Sequence, residues 1–281
     1  MNKNQLNKQI WQFFIFTFLF SWLLWLPGIL ITHNLVQKYD ILLKINNVLV
    51  WFAGVGPSFV ALYLLYRNDG ITGIKKVLGR IFKLDLGYWI YPIIFLIPIT
   101  LIGAHLLNIV LFKASLPQSG LLKEPWWIPV LFIVFFIFQF GEEIGWRGFA
   151  LDRLQNRMNA LFSSILLGSL WALWHLPMFF MNGFGHHDYH LPFGQFLLTL
   201  ILLSIIITWL QNNTKSSLFA AFVIHAYINL CGEVLPLIEK NTERQGDYTV
   251  WLITNILLFS IVVLILSIWG YKKLIRQKRA V

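Results

Sequence analysis

Runs of about twenty apolar residues recur along the whole 281-residue chain. Each is long enough to cross the ~30 Å hydrocarbon core of a bilayer as a helix. They fall at roughly 10–31, 46–66, 88–112, 127–150, 160–181, 193–210, 216–235 and 250–270. A segment in lipid must satisfy its own backbone N–H and C=O groups, which favours helices wherever runs of this length occur. The expectation is an all-α polytopic membrane protein with about eight transmembrane helices, forming a single transmembrane domain over 1–281. Composition agrees: 58% of residues are hydrophobic and 12% charged, against about 25% charged in soluble domains. The loops are too short to fold alone, and the sequence shows neither an internal repeat nor a low-complexity tract.

The single cysteine, Cys231, rules out an internal disulfide. Lys3 and Lys8 followed by an apolar run resemble a signal peptide, but Leu26-Pro27-Gly28-Ile29 offers no small-x-small cleavage site, so an uncleaved first span is expected. A net charge of +10 could indicate nucleic acid. The basic residues lie in loops between apolar runs, however, which is the pattern of the positive-inside rule, and no nucleic-acid partner is expected. With both termini cytoplasmic, the inner segments carry 15 Lys and Arg and the outer ones 6: Lys38, Lys44, Lys113, Lys123, Lys240 and Arg244. That bias predicts a multi-pass cell-membrane protein with both ends inside. In Ile71–Leu84, Ile74, Val77, Leu78 and Ile81 recur at helical spacing among Lys75, Lys76, Arg80 and Lys83. The pattern predicts a helix lying on anionic lipid at the inner leaflet. Pro27, Pro57, Pro92 and Pro98 are expected to kink helices or mark their starts. The outer cluster His186-His187-Asp188-Tyr189-His190 reads as a solvated loop, and the 13 Trp mostly as interfacial belts and lipid-facing bulk.

Of the 12 acidic residues, Glu142 and Glu143 alone sit deep in an apolar run, after the charge-free stretch Trp126–Gly141. An ionised carboxylate at mid-membrane costs roughly 2.5–3.5 kcal/mol on insertion scales. Arg147 lies four residues after Glu143 on the same helix face and can pair with it. Glu142, about 100° around the helix, has no such charged partner nearby. A span that simply ends here would put the same charges at the interface. His175 and the pair His225 and Asn229, one helical turn apart, add polar groups in two other spans. A lone intramembrane His is often only a hydrogen-bonded link between helices.

Depth separates these readings. Glu142 lies 11 positions before Arg153, His175 15 after Ala160, and His225 10 after Lys215. At ~1.5 Å per residue, all three reach roughly 15–22 Å from the inner anchors. One buried constellation explains this better than three accidents. Amide hydrolysis needs such a set: a carboxylate to take a proton from water, and His or Asn donors for the tetrahedral oxyanion. Alternatively Glu142, His175 and His225 could hold a divalent metal such as zinc with an open fourth position.

Glu142-Glu143-Ile144-Gly145-Trp146-Arg147-Gly148 resembles the Glu-Glu-x-x-x-Arg signature of the CAAX prenyl protease and bacteriocin-processing (CPBP, or Abi) family. Trp171-x-x-x-His175 is similar to its second motif, which usually begins with Phe, and His225-x-x-x-Asn229 to its third. The resemblance covers about 127–235, read as a catalytic four-helix core. It implies that Glu142 activates water and that Glu143 with Arg147 orders the site. It further implies that His175 helps hold the water or a metal, and that His225 and Asn229 stabilise the oxyanion, or that His225 binds metal. Eukaryotic members of the family remove a C-terminal tripeptide from prenylated proteins. Bacterial members are linked to bacteriocin processing and self-immunity, peptide maturation and surface-protein handling. The expected partners are a peptide or lipid-linked protein substrate and membrane lipids. The chain lacks the two-His, i to i+4 helical pair of common zinc proteases, and a metal-free site leaves each group a single task, which favours a glutamate mechanism. The rival functions are a non-catalytic immunity or scaffold protein on the same fold, and a transporter, although a transporter would favour internal repeats.

Overall fold

The computed structural model describes residues 3–37, 39–115, 119–238 and 248–276, and within them the chain is helical throughout, with no strand. Lys38, Lys240, Arg244, Lys278 and Arg279, all used in the charge count, lie outside the described residues. The long helices are α1 (Lys3–Thr32), α2 (Asp40–Gly54), α3 (Gly56–Leu78), α4 (Ile90–Phe112), α5 (Trp127–Gly145), α6 (Ala160–Trp174), α7 (Phe193–Asn213), α8 (Leu218–Val234) and α9 (Thr249–Trp269). Six helices of the described chain are long and apolar enough to cross a membrane, and the pair α2–α3, bent by 54°, makes up to seven if it is one broken span rather than a re-entrant loop. α8 is also apolar but shorter, at 17 residues. Each of the eight expected spans therefore has a helical counterpart.

The second span, read as 46–66, is interrupted at the proline expected to kink it or to start a helix. Its helix breaks at Val55, and Pro57 stands at the start of α3. Proline lacks the N–H that would bond to Ala53 O four residues earlier. Ser21 Oγ of α1 donates to that carbonyl instead, at 2.7 Å, so the break leaves no orphan in an apolar setting. The break also brings α5 close. A Cβ on Gly145 would sit 2.4 Å from the Pro57 carbonyl oxygen, so glycine is required for the crossing. Gly168 plays the same part between α6 and α7, where a Cβ would lie 2.7 Å from Ile201 Cα. Pro27 and Pro98 are accommodated inside α1 and α4.

Two expectations change. The stripe Ile74, Val77, Leu78 and Ile81 does not face lipid; it packs on the protein's own core. Arg80 beside it is buried, donating from Nε to Ser216 O at 2.8 Å and pairing with Asp152. The apolar face thus meets the helix ends that follow the site, while Ile71, Lys75, Lys76, Phe82, Lys83 and Leu84 are exposed. Nor are most tryptophans at interfaces. Trp25, Trp89, Trp146, Trp171, Trp174, Trp209 and Trp251, seven of the 13, are buried.

The two ends of the bundle are tied separately. At one end Ala160 N donates to Lys272 O (2.8 Å) and Lys215 pairs with Asp85 (3.2 Å). At the other, Asn182 N donates to Thr32 Oγ1 (3.0 Å) and Tyr248 OH to His190 O (2.8 Å). The segments grouped as inner by charge thus meet at one end and those grouped as outer at the other.

Candidate active site

The charge-free face of α5 carries Glu142 and Glu143 to the point where the helix widens into a π-helical segment, Trp146–Leu151. Such segments often occur at functional sites because the extra residue per turn re-aims the side chains. Here they place Arg147 inward, fully buried. Its Nη1 donates to Glu143 Oε1 at 2.7 Å, and His225 Nδ1 of α8 donates to the same oxygen at 2.8 Å. A carboxylate can only accept, so His225 carries its proton on Nδ1 in this bond. Gln211 Nε2 of α7 donates to Arg147 O at 3.3 Å. Glu143 is therefore the closed junction of α5, the π segment and α8. Buried charges of this kind persist only when paired and hydrogen-bonded.

Glu142 has different surroundings. Sequence offers it no cation, but Trp146, four residues on, donates from its indole N–H to Glu142 Oε2 at 3.2 Å. Trp171 of α6 donates to the same oxygen at 2.8 Å. Glu142 lines a cavity of about 1420 Å³ between α1, α2, α3, α5 and the segment after α6. Its walls are largely apolar, with Trp25, Val50, Phe138 and Met178 among them, and Asn229 and His186 at its margin. A second cavity, of about 580 Å³, is bordered by Trp171, His175, His225, Glu233 and Trp251. Asn229 and His186 border both.

His175 ends α6, just before Pro177, which disfavours further α-helix at Leu176. Its Nδ1 bonds to Trp171 O at 2.8 Å; the carbonyl can only accept, so Nδ1 donates and Nε2 is left with its lone pair. Trp171 is the common neighbour. Its ring lies 5.0 Å edge-on from His225, and the Arg147 guanidinium sits 4.5 Å above its face. Of the six residues singled out in the sequence, Glu142 lines the larger cavity, His175 and His225 the smaller and Asn229 both, while Glu143 and Arg147 are fully buried and line neither.

Sequence reasoning passed over Trp146 as a partner for Glu142, although its i to i+4 spacing repeats that of Glu143 and Arg147. It also read His186 as solvated. The structure folds that loop back instead: the His186 ring lies 5.8 Å from His175, 5.0 Å from Phe179 and 4.9 Å from Phe196. Burial, and then the neighbouring His175, push its pKa down to about 3. The rest of the cluster keeps closer to the expectation: Asp188 and His190 are exposed, and His187 pairs with Asp188 at 3.1 Å. Among the described residues, no three His, Cys, Asp or Glu side chains are close enough together to share a metal ion. The Nδ1 atoms of His175 and His225 are taken by Trp171 O and Glu143, which leaves only their Nε2 atoms to face the smaller cavity.

Fold and site together define a polytopic membrane protein with an acid–imidazole centre buried inside its helices. The family model for Type II CAAX prenyl endopeptidase Rce1-like proteins matches residues 124–231. A CAAX prenyl protease 2 of Methanococcus maripaludis is 30% identical over 240 residues, covering 81% of this chain and 85% of that protein. The chain belongs to the CAAX prenyl protease family of intramembrane peptidases. A lysostaphin resistance protein A of Staphylococcus haemolyticus is 28% identical over 142 residues, half of this chain and 36% of that protein.

Proposed function

We propose that this chain is an endopeptidase that hydrolyses prenylated or other membrane-associated peptides, with Glu142 as the base in a catalytic core within 127–235. The observation that carries the reading is the contrast in the carboxylate pair. Glu143 is fully buried, its Oε1 taken by Arg147 and His225, and it lines neither cavity. Glu142 lines the large apolar cavity, its Oε2 held by two indoles and, among the described contacts, its Oε1 by no protein donor. A water at Glu142 Oε1 loses a proton to it as its oxygen attacks the scissile carbonyl carbon. Asn229 and His225 stabilise the oxyanion. The tetrahedral intermediate collapses with cleavage of the C–N bond, and Glu142 returns its proton to the leaving nitrogen. His175 Nε2, a lone-pair acceptor, orients the water.

The reading is metal-free, because it gives every carboxylate and imidazole a single task. The apolar cavity suits a peptide carrying an isoprenoid, and its position between helices suits lateral access from the bilayer. The charge bias supports cytoplasmic termini. Impermeant thiol labelling of single cysteines at Lys3, Gln118 and Lys278 in a Cys231→Ser background should modify Gln118 alone on intact cells; Gln118 and Lys278 lie outside the described residues.

The test of function is incubation of purified protein with a farnesylated peptide ending in a CAAX sequence, with mass spectrometry of the products. Release of the C-terminal tripeptide by wild type and not by Glu142→Ala is expected. In parallel, membrane peptides of cells carrying either form are compared. Identical peptide profiles and no cleavage by wild type would return the chain to the scaffold reading.

A further inference from the structure

Glu142 poses a problem that its proposed role sharpens. A carboxylate inside an apolar bundle needs partners, yet a cation bonded to it would compete for the electron pair that must take the water proton. Arg147 is near enough to be that cation. The structure gives Glu142 two donors of another kind. Trp171 Nε1 lies 2.8 Å and Trp146 Nε1 3.2 Å from Oε2, and the described contacts place no protein donor on Oε1. An indole N–H donates only; it carries no charge and takes up no proton in this range.

Trp171 serves Arg147 as well, by a different part of the ring. The guanidinium rests 4.5 Å above its face, while its Nη1 is given to Glu143. The edge of the ring holds one acid and the face holds the cation that belongs to the other acid. Both indoles are themselves fixed. Trp146 is fully buried against Phe13 (5.5 Å) and Trp174 (5.7 Å), and Trp171 is 3% exposed. Neither ring can turn its N–H elsewhere without disturbing the core.

We propose that Trp171, seconded by Trp146, is a positioning residue: its indole N–H clamps Glu142 Oε2 and so keeps Oε1 aimed at the water, while its face keeps Arg147 on Glu143. The inference rests on Glu142 being the base. It makes position 171 more than a packing site. Phenylalanine there fills similar space and offers a face to Arg147, but has no N–H.

Trp171→Phe and Trp146→Phe isolate the donors. With the farnesylated CAAX peptide, Trp171→Phe is expected to lower kcat about tenfold, the loss of one hydrogen bond to a charged group, with KM and melting temperature nearly unchanged. Trp146→Phe, whose bond is longer, should lose about threefold. If Trp171→Phe folds poorly, the benzothienyl isostere, in which sulfur replaces the indole N–H, makes the same deletion at constant shape. A readout independent of turnover uses indole 15N-labelled protein in nanodiscs. The two indole N–H signals that vanish in Trp171→Phe and Trp146→Phe should shift in Glu142→Gln, and the others should stay. Unmoved signals overturn the clamp. So does full kcat in Trp171→Phe where Glu142→Gln is inactive, and in that case the base reading stands. Full turnover by Glu142→Gln removes the base reading itself, whatever the indole signals show.

Discussion

The floor and the rim of the site are built from the same short stretch of chain but to different rules. On the floor, Glu143, Arg147, His225 and Gln211 are nearly or fully buried and bonded to one another across three helices. At the rim, Glu142, His175, His186 and Asn229 line cavities. Adjacent carboxylates are thus divided between holding the fold and lining a cavity. The lesson is that a buried ionic network can occupy the charges that would otherwise pair with a neighbouring carboxylate.

Breaking the floor should cost most. Glu143→Gln strands the Arg147 guanidinium and leaves His225 without its acceptor, a loss of about 3–5 kcal/mol typical of halved buried pairs. Thermal unfolding in detergent should show a large drop in melting temperature together with loss of turnover. A Glu143→Gln protein as stable as wild type would mean that the floor is not the structural junction described.

Next in size is the crossing that presents the floor. Gly145→Ala drives a methyl to within 2.4 Å of the Pro57 carbonyl oxygen, and overpacking of this kind costs about 1–3 kcal/mol. Melting temperature should fall, with kcat reduced because α5 is displaced from α3. An unchanged melting curve would show the α3–α5 contact to be looser than drawn.

At the rim the effects should be smaller and chemical. His186→Phe fits among Phe179 and Phe196 and should leave the fold intact at neutral pH. His186 is held neutral by the fold, with its pKa lowered from 6.5 to about 3. Between those values the unfolded chain binds the extra proton, so its stabilising contribution is complete above about pH 6.5 and declines as pH falls toward 3. The wild type should therefore lose stability relative to His186→Phe on acidification, by up to ~1 kcal/mol per pH unit. Parallel melting curves for the two proteins from pH 7 to pH 5 would contradict the buried placement of this loop.

Much of this was legible in the sequence. Apolar runs near the length of a bilayer located a helical counterpart for each of the eight expected spans, and comparable depths pointed Glu142, His175 and His225 at one level. What hydropathy could not show was local. It cannot tell a proline that starts a helix from one that kinks it, so the break at Val55 and its repair by Ser21 were hidden. Charge counting looked for cations and so missed the neutral donors on Glu142, although Trp146 stood at the right spacing. Tryptophan is common at membrane interfaces, and that habit concealed Trp25, Trp146, Trp171 and Trp174 inside the core. The loop with His186 looked solvated because its neighbours are polar; its burial comes from Phe179 and Phe196, which sequence alone does not bring near.

The central claim is that Glu142, without a metal, is the group that takes the water proton. The most direct measurement is kcat on the farnesylated CAAX peptide for exhaustively chelated wild type and for Glu142→Gln, with metal content and melting temperature determined on the same samples. The account predicts full wild-type turnover at negligible metal, and a loss of about a hundredfold to ten-thousandfold in Glu142→Gln at unchanged melting temperature. Stoichiometric zinc, with activity lost on chelation and restored by zinc, would contradict it, as would turnover that survives in Glu142→Gln.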